Sequence, residues 1–163
     1  MPNVDIRHIK ALKVLVTHRT RAIDTSIILG ENMQQTKKAI ETSAAPGAIG
    51  PYSQAMMIGN LVFTSGQLPI DPATGKMVEG SIATRTHQAL KNLAAVVCEA
   101  KGTLNDVVKT TVYLQNIKDF QEVNAVYGEY FQKPYPARSA FEVAALPLGA
   151  DIEIEAVVAI KQS

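Results

Sequence analysis

Apolar residues recur with a helical period in two stretches of the chain. Ser81 can cap the first helix, and Lys101-Gly102 closes it as a cation followed by a C′ glycine. Its stripe contains one polar residue, Thr86, and we expect the apolar members to be buried: Ile82, Ala89, Leu90, Leu93, Ala94, Val97 and Cys98. A second helix begins at Asn116 and ends before Pro134, with a stripe at Phe120, Val123, Tyr127 and Phe131.

Four other stretches predict β-strands because of their β-branched and aromatic content. They are residues 60–66, 107–114, 138–143 and 151–160, and Leu146-Pro147-Leu148-Gly149 joins the last two. Strands and helices therefore alternate before two final strands. This order predicts a single α+β domain in which one mixed sheet carries two helices on one face.

The last predicted strand has two different faces. One face is apolar throughout and suits the helices: Ile152, Ile154, Ala156, Val158 and Ile160. The other face begins with Glu153 and Glu155 but continues with Val157 and Ala159. Either another subunit covers this second face, or Val157 and Ala159 are two scattered surface aliphatics.

Composition narrows the class of protein. Hydrophobic residues make up 47% of the 163 residues and charged residues 19%, and the apolar runs are too short to span a membrane. The single cysteine, Cys98, excludes an intrachain disulfide and favours a reducing, cytoplasmic compartment. The three histidines are scattered, which argues against a transition-metal site.

Residues 1–32 differ from the rest of the chain. They hold five Lys/Arg and three Asp/Glu and no aromatic residue, whereas the remainder holds 11 Lys/Arg and 12 Asp/Glu. The acidic residues argue against a transit peptide. We predict that 1–32 is an atypical extension, that Met33 is the natural start and that 33–163 is the domain; the alternative is a poorly packed extension with a short helix around 9–16. The main body shows no basic footprint for nucleic acid.

Arg138 is unusual in an otherwise small and apolar strand. The alternation places it with Ala140 and Glu142, opposite Phe141 and Val143, which predicts that it lies on the face away from the helices. A desolvated guanidinium needs a counter-charge. Two roles remain open: a structural ion pair with a carboxylate, or an anchor for an anionic ligand. The candidate structural partners are Glu142, Glu153 and Glu155.

Glu153 and Glu155 are also candidates for acid/base chemistry, with solvated surface charges as the alternative. If Ala145 pairs with Asp151 in a hairpin, Arg138 lies about 17 Å along the strands from the level of Glu153. The two could then serve one small molecule only in a site shared between subunits.

Four softer signals complete the set of candidates. Tyr52 follows Gly50-Pro51 on a loop and could cover a pocket, although packing is its default role. Ser65 and Gly66 end a strand, where a glycine lets a ligand approach the backbone. Asn124 interrupts the packed face of the second helix.

Several motifs together resemble the RidA family, also called YjgF, over residues 36–161. They are AAPGAIGPYSQA (44–55), VFTSGQLPIDPATGKMV (62–78), VVKTTVYLQNIKDFQEVNAVYGEYF (107–131) and PARSAFEVAALPLGADIEIEAVV (136–158). The resemblance implies a chorismate-mutase-like α+β domain. It also implies a homotrimer whose sheets form a central barrel, with active sites between subunits.

The activity that the resemblance implies is hydrolysis of reactive 2-imino acids or enamines to 2-keto acids and ammonia, without metal or cofactor. This reaction protects pyridoxal-phosphate enzymes. A regulatory trimer that binds 2-keto acids without catalysis is the alternative, and a ribonuclease or translation inhibitor is a third. We expect no nucleic-acid or membrane partner.

The resemblance also assigns roles to individual residues. Arg138 matches the arginine that binds the substrate carboxylate, and Glu153 matches the glutamate that positions water. The substrate-binding positions match Tyr52, Ser65, Gly66 and Asn124. Many members carry cysteine two residues after the arginine, where this chain has Ala140. The expected contact there is through the main chain, and thiol-based regulation at that position is in doubt.

Overall fold

A six-stranded sheet with two helices on one face forms the part of the chain that the structure, a computed structural model, describes: residues 36–161. The strands of this sheet are β1 (Lys38–Ile40), β2 (Ala55–Ile58), β3 (Leu61–Thr64), β6 (Val107–Leu114), β7 (Ala137–Glu142) and β8 (Ile152–Ala159). A small hairpin adds β4 (Ile70–Asp71) and β5 (Lys76–Met77), and the helices are α1 (Ile82–Glu99) and α2 (Phe120–Tyr130). The extension 1–32, the proposed start at Met33 and the short helix around 9–16 lie outside the described residues.

The strand order is β1-β2-β3-β8-β6-β7. β6 and β7 run parallel, and the other neighbouring strands run antiparallel. This arrangement follows from the connections, because α2 carries the chain from β6 back over the sheet to β7 as a crossover. The predicted α+β class, the mixed sheet and the two helices on one face are confirmed.

β8 lies between β3 and β6, and its side chains alternate between buried and half-buried. The buried members are Ile152, Ile154, Ala156 and Val158. They form one core with the inward faces of the two helices, so the predicted alternation of the last strand is confirmed.

One predicted pairing is wrong: β7 and β8 do not form a hairpin, because β6 lies between them. Tyr113 on β6 pairs with Glu153 of β8 on one side and with Phe141 of β7 on the other. The short loop before β8 suggested a hairpin, but the crossover through α2 already places β7 parallel to β6 at the sheet edge. The assumed pair of Ala145 with Asp151 is therefore absent.

The predicted face of Arg138 is also wrong. Arg138 pairs with Thr110, which pairs with Ala156 on the buried face, so all three lie on the side of the helices. Ala140 packs against the same core. The apolar Phe141 lies on the outer face, where its exposed fraction is 53%. Because β7 is an edge strand, the polarity of its residues does not follow the core.

The end of α1 differs in detail from the prediction. Lys101, not Gly102, has the positive φ of 69°. The Lys101 N–H donates to the Cys98 carbonyl (2.8 Å) and the Gly102 N–H to the Val97 carbonyl (3.0 Å), which is a Schellman motif. Gly102 serves close packing instead, since a Cβ there would lie 3.2 Å from Val97 and 3.3 Å from Ile160.

Ile82 and Ala94 of the predicted stripe of α1 are only half-buried, and the stripe needs two further corrections. Cys98 is exposed rather than part of the core, because the core-facing stripe passes through Leu93, Val96 and Val97. Asn92 is buried, which the apolar pattern missed, and its side-chain amide donates to the carbonyls of residues 68 and 70. Among the described residues, no helix combines the length and the apolar character needed to cross a membrane.

Candidate functional site

The guanidinium of Arg138 lies over two aromatic rings of α2. Its Cζ is 4.6 Å from the centroid of the Tyr127 ring and 5.2 Å from that of Phe120. Both contacts are within the range of cation–π attraction. Because β7 runs along the edge of the sheet beneath α2, this strand position directs the side chain between helix and sheet.

Two pockets meet at Arg138. One, of about 280 Å³, is lined by Asn124, Tyr127, Gly128, Tyr135, Pro136 and Arg138. The other, of about 570 Å³, is lined by Ile117, Lys118, Phe120, Gln121, Arg138 and Ala140. The structure therefore brings three of the sequence-predicted residues together: Arg138, Asn124 and Ala140.

None of the proposed structural counter-charges pairs with Arg138. Glu142 accepts a hydrogen bond from the Ile117 backbone N–H (2.8 Å). Glu155 accepts one from the Tyr113 hydroxyl (3.0 Å), and Glu153 lies on the opposite face of the sheet. Within residues 36–161, no carboxylate lies within salt-bridge distance of the Arg138 guanidinium. Within one chain the ion-pair alternative is therefore wrong for these partners, so no carboxylate in the described part of the same chain stands in the way of an anion at the guanidinium.

Glu153 of β8 lies against the segment that follows β3, where Gly66 leaves room for its side chain. A Cβ built on Gly66 would overlap the Glu153 carboxyl group and approach its Cγ to 2.7 Å. Gln67 and Ile154 exchange backbone hydrogen bonds of 2.8 and 3.1 Å, which hold the chain after β3 against β8. A side chain larger than glycine at position 66 would displace the carboxylate.

Burial and a neighbouring negative charge both raise the pKa of Glu153. Burial, and then the negative charge of Glu155, raise the pKa of the Glu153 carboxyl above its usual value. Burial, followed by the hydrogen bond to Glu155, also raises the pKa of the Tyr113 hydroxyl. A raised carboxyl pKa favours proton exchange near neutral pH.

Ser65 precedes Gly66 and is held by hydrogen bonds to the segment that follows Tyr52. The Ser65 hydroxyl donates to the Ser53 carbonyl (2.7 Å), and the Ser65 N–H to the Gln54 carbonyl (2.9 Å). Tyr52, which precedes Ser53, is half exposed, and its hydroxyl accepts a hydrogen bond from the Ile49 N–H at 3.4 Å.

Gln54 organises the loop that carries Tyr52, and sequence reasoning missed it. Its buried side-chain amide donates to the carbonyls of Thr42, Ala45 and Pro46 at 3.0, 3.2 and 2.8 Å. The side-chain Oε1 of Gln54 accepts a hydrogen bond from the Thr42 N–H (2.6 Å). The available signal was a polar residue directly before β2, which is too common to indicate a role.

The candidate residues thus form two groups on different sides of the sheet. Arg138, Asn124 and Ala140 lie where β7 faces α2, whereas Gly66 and Glu153 meet at the start of β8 and Ser65 precedes Gly66. Tyr52 lies on the loop whose Ser53 carbonyl accepts the hydrogen bond of the Ser65 hydroxyl. Within one chain these two groups are separate. Sequence reasoning treated Phe120 and Tyr127 only as packing residues, because a helical stripe does not show which side chain lies opposite it.

A cation site has no candidate in the described part of the chain. Across residues 36–161, no three His, Cys, Asp or Glu side chains lie close enough together to hold a metal ion. The two groups of candidate residues offer a guanidinium, a carboxylate and backbone groups.

Comparisons with known proteins agree with this architecture. The family model described as Endoribonuclease L-PSP matches residues 42–160. The human 2-iminobutanoate/2-iminopropanoate deaminase is 49% identical over 121 residues, which cover 74% of this chain and 88% of the human one. The chain belongs to this family, which is the RidA/YjgF family.

Solved structures give the same result. A structure from Thermotoga maritima, titled as a putative endoribonuclease, is 49% identical with a TM-score of 0.75, covering 78% of this chain and all of that one (100%). RidA from an Antarctic Psychrobacter species is 45% identical with a TM-score of 0.73, covering 76% of this chain and 99% of that one.

Proposed function

We propose that this protein hydrolyses reactive 2-imino acids and their enamine tautomers, such as 2-iminobutanoate and 2-iminopropanoate, to 2-keto acids and ammonia. The observation that carries the proposal is the Arg138 guanidinium, which borders two pockets and has no carboxylate partner among residues 36–161. The similarity of this chain to the human deaminase supports the same reaction class.

Arg138 would bind the carboxylate of the imino acid. A guanidinium presents a planar fork that matches both carboxylate oxygens, so it fixes orientation as well as charge. Asn124 lines the same pocket and can add a hydrogen bond. The backbone at Ala140 borders the second pocket and would contact the substrate without a side-chain functional group.

Glu153 would position a water molecule against the imine carbon. The water oxygen bonds to that carbon while the C=N π electrons move to nitrogen, and Glu153 takes the proton from water. Starting from the protonated imine, this addition gives a carbinolamine, and Glu153 returns the proton to its nitrogen. The C–N bond then breaks as the hydroxyl oxygen forms the carbonyl and gives its proton to Glu153, so that the 2-keto acid and ammonia leave and Glu153 releases the proton to solvent. An iminium carbon is already electrophilic, so positioning and modest acid/base assistance are sufficient.

The working site would combine two chains. Arg138 and Glu153 lie on opposite faces of the sheet in one chain, so a small molecule can contact both only if two subunits contribute. The outer face also presents Leu61, Phe63 and Phe141, with exposed fractions of 36%, 46% and 53%. Such a face favours coverage by another subunit, and we propose the homotrimer with a central barrel.

The cellular role would be protective. Imines released by pyridoxal-phosphate enzymes damage other such enzymes if they decay slowly, and rapid hydrolysis removes them. We propose that this protein acts in the cytoplasm without metal or organic cofactor. Its partners would be 2-imino and 2-keto acids and its own copies.

A coupled assay tests the proposal. Threonine dehydratase generates 2-iminobutanoate, and the rate of 2-ketobutyrate appearance is measured with and without this protein. Acceleration that Arg138→Ala abolishes supports the mechanism. Acceleration that persists in Arg138→Ala would show that the assigned mechanism is wrong.

The alternative function is a regulator that binds 2-keto acids through Arg138 without catalysis. Binding of 2-ketobutyrate without acceleration of imine hydrolysis would favour it. The third candidate is a ribonuclease, as the description of the matching family model suggests. Cleavage of RNA by the purified wild type, unchanged in Arg138→Ala and Glu153→Gln, would favour that function over the deaminase.

A further inference from the structure

We infer that Tyr127 and Thr110 are positioning residues for Arg138: the Tyr127 ring, fixed by a buried hydrogen bond to Thr110, holds the guanidinium where it can receive a carboxylate. This inference rests on the proposed function for its consequence in catalysis. Its geometric content does not depend on the identity of the substrate.

The Tyr127 ring is a rigid support. It is only 4% exposed, and it stacks on Phe131 with centroids 4.3 Å apart and an interplanar angle of 30°. The Cζ atom of Arg138 lies 4.6 Å from the centroid of the same ring. Packing of this kind restricts the ring, and the restricted ring in turn restricts the flexible arginine side chain.

Thr110 connects the ring to the strand next to Arg138. Its Oγ1 lies 2.8 Å from the Tyr127 hydroxyl oxygen, and Thr110 is fully buried at 0% exposure. Thr110 is also the register partner of Arg138 across β6 and β7. The hydrogen bond therefore fixes the ring relative to the strand pair that carries the guanidinium.

Packing alone does not require this polar pair. The next residue on the buried face of β6 is Val112, and valine has almost the shape of threonine. A buried hydroxyl is costly unless it finds a partner, so the pair specifies geometry more than it adds stability. Tyr127 and Thr110 satisfy each other and in doing so fix the ring beneath Arg138.

An aromatic ring is a suitable support for an arginine that binds ligands. The ring attracts the positive charge through its face, but it does not accept the conventional hydrogen bonds that a carboxylate partner would take. The N–H donors of Arg138 therefore stay available for the carboxylate of a ligand. A structural carboxylate in place of the ring would compete with the substrate.

The first test compares Tyr127→Leu with Tyr130→Leu. Tyr130 lies three positions later on α2, and its hydroxyl bonds to His87 rather than to the sheet. For Tyr127→Leu we expect the Kd for 2-ketobutyrate, measured by calorimetry, to rise about 5- to 30-fold, the range of a cation–π contact. KM for the imine should rise in parallel, with kcat changed less, and Tyr130→Leu should bind as the wild type does.

The second test separates the hydrogen bond from the ring. Thr110→Val and Tyr127→Phe each leave one buried hydroxyl without a partner and should lower the melting temperature, whereas the double variant should recover most of it. The double variant keeps the volume of the core. We expect its Kd for 2-ketobutyrate to rise about 2- to 5-fold because the ring is no longer fixed.

A nuclear magnetic resonance readout makes the inference independent of activity. The Arg138 Nε–H resonance should carry a ring-current shift that Tyr127→Leu removes and Tyr130→Leu leaves unchanged. The inference would be overturned if either the folded Tyr127→Leu variant or the double variant kept both the wild-type Arg138 resonance position and the wild-type Kd. The deaminase proposal would still stand in that case. A wild type that neither binds 2-ketobutyrate nor accelerates imine hydrolysis would instead overturn the proposed function, and the Arg138 resonance would still decide the geometry.

Discussion

Arg138 and Glu153 lie on opposite faces of one sheet, with β6 between their strands. Arg138 is level with Thr110 on the face covered by the helices, whereas Glu153 is level with Tyr113 on the outer face. A substrate small enough for the Arg138 pockets cannot contact both side chains of the same chain. The proposed mechanism therefore requires that two subunits contribute to one site.

Mixing two inactive variants should restore activity. Arg138→Ala and Glu153→Gln should each be inactive alone in the coupled imine assay. When the two are unfolded together at equal amounts and refolded, about one quarter of the interfaces should combine an intact Arg138 with an intact Glu153, because subunits would mix randomly in the proposed trimer. We expect about one quarter of wild-type activity.

The control for mixing is each variant refolded alone, which should stay inactive. Refolded mixtures without recovered activity, in the presence of mixed trimers shown by mass spectrometry, would contradict a site shared between subunits.

Lysine should not replace Arg138. Arg138→Lys keeps the charge but loses the planar fork and most of the stacking on Tyr127. We expect KM to rise about 10-fold for Arg138→Lys, since a charged hydrogen bond contributes roughly 1.5–3 kcal/mol, whereas Arg138→Ala should remain inactive. Steady-state kinetics with 2-iminobutanoate measure the KM of Arg138→Lys, and equal kinetics for Arg138→Lys and wild type would exclude bidentate binding.

Gly66→Ala should impair catalysis more than folding. The new Cβ would overlap the Glu153 carboxyl group, so the carboxylate must move. A displacement of this size can reduce kcat about 100-fold. Gly47→Ala is the matched control, because nothing lies within 4 Å of a Cβ there. If kcat falls equally in both variants, the contact between Gly66 and Glu153 has no specific role.

Glu153→Gln should stabilise the protein at neutral pH while it abolishes activity. The pKa of Glu153 is raised in the folded state, first by burial and then by Glu155. The folded protein therefore binds this proton more tightly than the unfolded chain, and stability falls as pH rises through the raised pKa. Thermal melts should show a higher melting temperature for Glu153→Gln at pH 7, with the difference shrinking below the ordinary pKa of glutamate.

The same charge relation should appear in the activity profile. Glu155→Gln removes the second cause of the raised pKa, so the acidic limb of kcat/KM should shift to lower pH. The exposed Glu79 provides the control, because Glu79→Gln should leave the limb in place. An acidic limb that does not move in Glu155→Gln would show that Glu155 does not act on the catalytic carboxylate.

The elements of the fold were largely predictable, while their neighbours were not. The alternation of β8 and the helical period of α2 follow from local burial, and the period of α1 does so except at Cys98, which is exposed, and Asn92, which is buried. β7 lies at the sheet edge because the chain crosses over through α2. The short loop before β8 instead suggested that β7 pairs with β8. The face of Arg138 was therefore predicted wrongly although the strand itself was predicted correctly.

Only the neighbours of Arg138 in the fold distinguish a structural ion pair from an anchor for an anionic ligand. Sequence reasoning found the residue and left open whether a carboxylate neutralised it. The structure places Glu142 on the Ile117 N–H and Glu155 on the Tyr113 hydroxyl, so both are engaged elsewhere. Which groups lie next to a side chain depends on strand order, which local patterns do not encode.

The sequence by itself determined the helices, the strands, the alternating core of β8 and the family motifs that mark Arg138 and Glu153. These features depend on residues close together along the chain, where hydrophobic period and turn chemistry act directly. Only the tertiary structure decided that the two residues lie on opposite faces, that Tyr127 supports the guanidinium and that Gly66 makes room for Glu153. Each of these contacts joins positions distant in sequence, and the register of packed strands, rather than any local preference, brings them together.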